Sequence, residues 1–300
     1  MPAFFRFIIT FFLRFKATYL VGMVFVRLAR KMRKKRFKEN QGIQNVIVSN
    51  FSGSLKMRVD KNSYMGGSIY WTGYHHINEF LYLKKAISPE MTFIDVGANQ
   101  GEFTLYLSSL LSKGKVMSFE PVSSNFSALK FNTELNSCKN VELCNYGLFN
   151  KEDEMPIYTS TEETLHSGRH EGLSTLFSGD TRSTFEETIS IKVFDDLFFE
   201  KLERFDYLKI DIEGAELYAL QGMKKSLQKF KPGILIEMSH ETFEEAGYTV
   251  KDMLDFLAEL GYEPYTLHRG SLIPKGTMTY DDWGNYVFLN KESVIQSTQK

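Results

Sequence analysis

The stretch Thr92-Phe-Ile-Asp-Val-Gly-Ala-Asn-Gln-Gly-Glu-Phe-Thr104 constrains this chain more than any other. A short apolar run ends in Asp95, crosses two glycines and enters a segment with a helical apolar period. That pattern marks a parallel strand handing over to a helix, the place where open α/β sheets hold their ligands. Gly97 and Gly101 allow backbone to approach a ligand with no Cβ between them. The next apolar run, Lys115-Val-Met-Ser-Phe-Glu120, also ends in a carboxylate. Two acids at neighbouring strand ends suit a ligand rich in hydroxyls or carrying a cation, although either acid could instead cap the helix that follows.

Strands and helices then alternate, which predicts an α/β chain with a parallel sheet and crossover helices. Phe103, Leu107, Leu110 and Leu111 form one helix face, and Val122, Phe126 and Leu129 another. Val141–Asn145, Asp206–Asp211 and Gly233–Glu237 read as the third, fourth and fifth core strands, with 265–267 and 286–289 as a closing antiparallel pair. Thr249 with Asp252 predicts a capped helix start, and Gly261 its stop. The lead-in over 41–88 reads as β-rich, with strands at 46–48, 55–59 and 68–71 and a short helix at 77–86. The core domain is expected over 89–290, followed by a tail at 291–300. Residues 150–188, with His166, Gly168, His170, Gly172 and Gly179, predict a long polar loop, either a lid that covers a substrate or a disordered insertion. Strand structure resumes at 189–194.

The net charge of −1 hides an asymmetry. Residues 1–40 hold eleven basic side chains and one acid, Glu39, so this arm carries +10 and the remainder −11. Arg6, Arg14 and Lys16 interrupt its apolar part, and the longest uncharged run, Ala17–Val26, is well short of the ~20 residues a spanning helix needs. No small-residue cleavage site follows, which argues against a secretory signal. Arg27, Arg30, Lys31 and Lys34 recur at helical spacing. Two readings stay open: a helix lying in a membrane interface, or an N-terminal helix packed on the body or partly disordered as a basic leader. Nucleic-acid binding is not expected, because no stacking platform or recognition helix accompanies the charge. The two cysteines, Cys138 and Cys144, match no metal spacing and fit a reducing compartment. The expected location is cytoplasmic, free or peripheral at the cytoplasmic membrane face.

The glycine spacing is Gly-x-x-x-Gly, neither the dinucleotide fingerprint nor a P-loop, since no lysine follows. A sulfonium with a ribose and an amino-acid tail meets these acids better than a pyrophosphate, which points to S-adenosylmethionine. The candidate cofactor-binding residues are Asp95, Gly97, Asn99, Gly101, Glu120 and Asn145. A second cluster, Lys209-Ile-Asp-Ile-Glu-Gly-Ala-Glu216, ends the fourth strand. Asp211 and Glu213 could orient or deprotonate an acceptor hydroxyl, or hold a divalent cation. Glu216 is expected to favour the helix dipole, and Lys209 is either a buried carboxylate partner or an edge residue. His240, after the fifth strand, is the candidate general base by its chemistry. His75 and His76, beside Tyr74, suggest a surface or lid role. No nucleophile elbow is present, so serine-based acyl transfer is not supported.

Five segments together resemble the FkbM-like family of S-adenosylmethionine-dependent methyltransferases. They are 93–101, Phe119-Glu-Pro121 with Asn125, Asn132 and Asn136, Asn140-Val141, 209–216, and Lys231-Pro-Gly-Ile-Leu-Ile-Glu237. The resemblance spans roughly 75–290 and leaves out the basic arm; Gly147 stands where the family more often has alanine. It implies a Rossmann-like seven-stranded methyltransferase sheet with helices on both faces, with Asp95, Gly97 and Glu120 around the cofactor. It also implies O-methylation, commonly of a sugar, glycan or other hydroxyl-bearing metabolite. A nicotinamide-dependent oxidoreductase is disfavoured by the missing third glycine. A non-catalytic, membrane-docking body is disfavoured by the joint presence of Asp95, Glu120, Asp211 and Glu213.

Overall fold

The computed structural model describes residues 1–13, 19–36, 42–160, 174–179, 182–276, 278 and 283–292. Helices α1 (Pro2–Leu13) and α2 (Tyr19–Arg36) precede an antiparallel ribbon, β1 (Asn45–Phe51) and β2 (Leu55–Asp60), then α3 (Tyr64–Thr72) and α4 (Ile77–Ala86). The body begins with β3 (Thr92–Val96), α5 (Glu102–Leu110), β4 (Lys115–Phe119), α6 (Ser123–Leu135) and β5 (Val141–Cys144). A small sheet follows, built from β6 (Gly147–Leu148), β7 (Asp153–Thr159) and β8 (Thr184–Lys192), and then α7 (Phe194–Phe198). The chain returns through β9 (Tyr207–Ile210), α8 (Glu216–Gly222), α9 (Lys224–Phe230), β10 (Gly233–Met238), α10 (His240–Glu245) and α11 (Val250–Glu259). It closes with β11 (Tyr262–His268), β12 (Ser271–Pro274) and β13 (Gly284–Asn290).

The main sheet runs β12-β11-β13-β10-β9-β3-β4-β5. Its members from β10 to β5 are parallel, whereas β13, β11 and β12 add antiparallel pairs. Alternation along the strands feeds two cores. Ile94, Ile210, Ile234 and Ile236 pack with Leu217, Leu227 and Leu257 of α8, α9 and α11. Phe93, Val116, Leu235 and Val287 pack on the other face with Phe80, Phe103 and Leu107 of α4 and α5. Burial on both faces explains why the parallel strands read as nearly continuous apolar runs. The order reverses at β3, which sends the chain to β4 on one side while β9 returns on the other. A crevice therefore opens beyond the carboxyl ends of β3, β4 and β9.

The Rossmann-like sheet is as expected, with eight strands in place of seven. The extra one, β12, hairpins onto β11 across Arg269 and Gly270, whose φ values of 52° and 66° suit a two-residue primed turn. The strand expected at 68–71 is instead helix α3. Ser63 caps it by accepting from the Gly66 amide, and Gly73 at φ 83° ends it. A Cβ at Gly66 would sit 2.2 Å from the Asp60 carbonyl, so this glycine serves close packing inside a helix, not a turn. Within 150–188, residues 153–159 are a strand where a loop was expected, and they pair antiparallel with β8, which begins at Thr184, ahead of the strand expected from 189. His166, Gly168, His170 and Gly172 lie outside the described residues. Thr249 and Asp252 make the expected reciprocal cap of α11.

The basic arm forms two helices, and they pack on the body. Phe5 and Ile9 of α1 join Val26 and Ala29 of α2 against Trp71 and Ile77. The helices meet closely at Gly22, where a Cβ would lie 2.9 Å from Leu13. Arg6 locks α1 down, its Nε donating to Asn50 Oδ1 at 2.6 Å and its Nη1 to the Tyr70 carbonyl. No helix among the described residues is long and apolar enough to cross a membrane.

Candidate active site

The crevice at the switch point is a cleft of about 920 Å³, measured out to its open mouth. From β3, β4 and the small sheet come Gly97, Asn99, Glu120, Leu148 and Ile191; from the β9 side come Lys209, Asp211 and Glu213. Clefts with this lining, apolar walls and a few convergent polar groups, hold small molecules.

The first loop is shaped by its backbone. Gly97 and Ala98 both donate to the Phe119 carbonyl at 3.0 Å, which folds the chain over the end of β4. Gly97 has φ 76°, and a Cβ there would stand 2.0 Å from the Asp211 carbonyl oxygen. Asn99, at φ 47°, donates its amide to Glu120 Oε2 at 2.8 Å, and the Val122 amide donates to Oε1 at 3.0 Å. Glu120 is thus fixed at the cleft wall by two N–H groups, with lone pairs left for a ligand. Burial pushes its carboxyl up to about 7 against those hydrogen bonds.

Three other residues of the candidate cofactor set do not line the cleft, and each has a different job. Asp95 is fully buried, with Thr104 Oγ1 donating to Oδ2 at 2.6 Å and Lys209 Nζ standing 3.8 Å from Oδ1. It braces the loop from behind; burial raises its pKa, with Lys209 opposing. Gly101, at φ 96°, caps α5 and makes room for Leu129 of α6. Asn145 donates to the Glu120 and Pro121 carbonyls at 2.9 and 3.1 Å, steadying the backbone that presents Glu120. Gly147 does line the cleft, beside Ile191.

At the β9 end the site is a charge cluster. Lys209 is buried and donates to the Gly97 carbonyl at 2.7 Å, with Asp211 Oδ2 3.5 Å away. Burial would lower its pKa, but Asp211, Asp95, Glu120 and Glu237 outweigh that and raise it. The sequence left Lys209 open; the structure makes it the buried partner of these carboxylates. Asp211 meets the same burial penalty, and the charges of Lys209 and His76 overcome it to hold the group below its ordinary value. Glu237, alongside, is pushed up to about 10 by burial and by Asp211. Asp211 and Glu237 therefore behave as one carboxylate and one carboxylic acid sharing a proton.

Glu213 faces the cleft but is already paired with Arg182 at 2.7 Å, and Arg182 also holds Glu245 at 2.7 Å. Burial and then Asp211 push Glu213 up to about 8, against the pull of Arg182. Oxygens of Asp211, Glu213 and Glu237 lie within 4.8 Å of one another, close enough to share a divalent cation. Glu216 does more than favour a helix dipole. It accepts from the Ile212 and Gly214 amides at 2.8 and 2.9 Å and pins the turn that carries Glu213.

His240 opens α10 and does not line the cleft, so the base expected there is displaced. The histidine in the cleft is His76. Its Nδ1 lies 2.9 Å from Glu102 Oε2, and Glu102 Oε1 accepts from the His75 and His76 amides at 3.0 and 3.2 Å. Burial works against charge on His76, but Glu102 prevails and holds the imidazole up at about 9, while Glu102 itself falls to about 2. His75, buried beside this cation, drops to about 4. The available signal was positional: a His pair just before one helix and an acid in the first turn after the glycine loop.

The fold places an acid-walled crevice, with Glu120 at its rim, at the switch point of a Rossmann-like sheet. The chain belongs to the methyltransferase FkbM domain family, whose model matches residues 95–264. It is 27% identical over 187 residues to methyltransferase 1 of Beauveria bassiana (strain ARSEF 2860), covering 56% of this chain and 72% of that protein. It is 26% identical over 202 residues to methyltransferase sdnD of Sordaria araneosa, with 57% and 73% covered. The crystal structure of methyltransferase FkbM from Methylobacillus flagellatus KT is similar at 18% identity and a TM-score of 0.42. That match covers 68% of this chain but only 44% of the other.

Proposed function

We propose that this methyltransferase uses S-adenosylmethionine to methylate a hydroxyl of a sugar, glycan or related metabolite. The observation that carries the reading is Glu120, held at the cleft by the Asn99 and Val122 amides with acceptor capacity to spare for paired ribose hydroxyls. The turn at 97–99 supplies close backbone approach, and the apolar wall of Phe119, Leu148 and Ile191 suits a flat base. When bound, S-adenosylmethionine supplies a methyl group already activated on sulfonium.

The remaining work falls to the chain: aligning an acceptor oxygen, keeping water out and handling one proton. Asp211, ionised between Lys209 and His76, accepts the hydrogen bond of the acceptor hydroxyl and takes its proton. Glu237 keeps its own proton and donates it in a hydrogen bond to Asp211, so the pair avoids two adjacent charges before the acceptor's proton arrives. His76, with Nδ1 engaged by Glu102, has Nε2 left to donate to a second acceptor oxygen. Such a dense set of donors and acceptors suits a polyhydroxylated substrate. Lys209 and Arg182 already supply cations to Asp211 and Glu213, and no step in this scheme calls for a divalent ion.

The test is Asp211→Asn. Transfer of labelled methyl into a carbohydrate-rich cell extract is expected to fall by about 10²–10⁴-fold, while S-adenosylhomocysteine still binds within a few-fold of wild type. Unchanged labelling by the variant contradicts the role of Asp211.

A further inference from the structure

The inward faces of α1 and α2 are spent on the body, yet their outward faces are apolar. On α1, Phe4, Phe7 and Phe11 follow one another at helical spacing and point away from the packed Phe5 and Ile9. On α2, Leu20, Val21, Val24 and Leu28 do the same opposite Val26 and Ala29. These seven side chains are between 42% and 69% exposed, a density of solvent-facing apolar groups on two packed helices of the kind that marks an interaction site. The outer stripe of α2 then turns basic, with Arg27, Arg30, Lys31, Lys34 and Lys35 all exposed and no acid in either helix.

We infer that this face of the α1–α2 pair docks on an anionic lipid bilayer, the aromatic and aliphatic side chains entering the interface and the lysines and arginines meeting the headgroups. Charge selects this occupant. The arm carries +10 and the rest of the chain −11, so an anionic surface attracts one face and repels the other, which fixes orientation. A second copy would bring two like-charged arms together, and nucleic acid would leave the phenylalanine and valine stripe uncovered. Neither helix is long and apolar enough to span the bilayer, which leaves them lying on it.

The surface is coupled to the cleft by short contacts. Arg33 of α2 donates to the Ser63 carbonyl at 3.1 Å, and its guanidinium lies 5.4 Å from the Tyr64 ring centre. The next residue, Met65, lines the cleft. The docking itself is independent of the methyl-transfer chemistry proposed above.

The test is co-sedimentation of the full chain with vesicles of phosphatidylglycerol and phosphatidylcholine, against pure phosphatidylcholine. Binding to the anionic vesicles, weakened by salt, is expected. Lys31→Gln, Lys34→Gln and Lys35→Gln combined should weaken it on the order of 100-fold, roughly fivefold per charge. Phe4→Ser, Phe7→Ser and Phe11→Ser combined should abolish it. Both variants should keep the wild-type melting temperature and affinity for S-adenosylhomocysteine, because they alter only outward side chains. No binding to the anionic vesicles, or binding that both variants retain, overturns the proposal. So does a concentration-dependent dimer that the serine variant dissolves, which would assign the face to a second copy.

Discussion

At the scale of single residues, the site is governed by which charges are paired. His76 and Glu102 are 26 positions apart and meet because the start of α4 lies against the first turn of α5. The His76 value of about 9 lies above its ordinary 6.5, so its stabilising contribution is complete below 6.5 and is lost as pH rises through about 9. Glu102, depressed to about 2, contributes fully above its ordinary 4.5 and loses that as pH falls through about 2. His76→Gln should therefore be about 1–3 kcal/mol less stable than wild type near pH 6. Melting curves should show the gap closing between pH 6.5 and 9; a gap constant with pH would contradict the ion pair. Sequence could not join these two residues, because neither strand period nor glycine spacing reports which helix ends touch. Glu120 was legible, since an acid closing a parallel strand at the switch point has few other places to face. Asp95 was read as a ligand contact by the same rule, but its strand is central, and Thr104 and Lys209 enclose it.

At the scale of elements, the glycine loop is set by the segment that crosses it. Gly97 lies under the backbone of Asp211, whereas the Cβ of a substituted Gly101 would meet only the flexible end of Leu129, at 2.8 Å. Gly97→Ala should cost about 2–4 kcal/mol and eliminate cofactor binding, because the loop and the end of β9 must separate. Gly101→Ala should be milder in both respects. Denaturant unfolding with a parallel binding titration checks this; equal effects at the two positions would contradict it. The alternating core was readable because strand and helix periods differ. Helix α3 was not: Met65, Ile69, Trp71 and Thr72 are buried around nearly the whole circumference, which erases the period, and its two glycines mimic a turn. The hairpin of β7 and β8 was hidden for the opposite reason. Asp153, Glu154, Glu186 and Glu187 give it the polarity of a loop, while Ile157, Ile189 and Ile191 carry its buried side.

At the scale of the whole molecule, a methyltransferase body with an acidic balance carries a basic helical pair whose outward face is apolar. The sequence exposed the charge asymmetry but left the arm between two readings. The structure adds that the helices are packed on α3 and still present an uncovered face, so packing on the body and contact with a surface are compatible. All of this depends on the cleft being a cofactor site at all, and calorimetry with S-adenosylhomocysteine tests that most directly. Wild type should bind with measurable heat. Glu120→Ala, which removes the carboxyl proposed to receive the ribose hydroxyls, should bind roughly 10–100-fold more weakly without losing its fold. No heat with wild type, or an affinity indifferent to Glu120, would contradict the account.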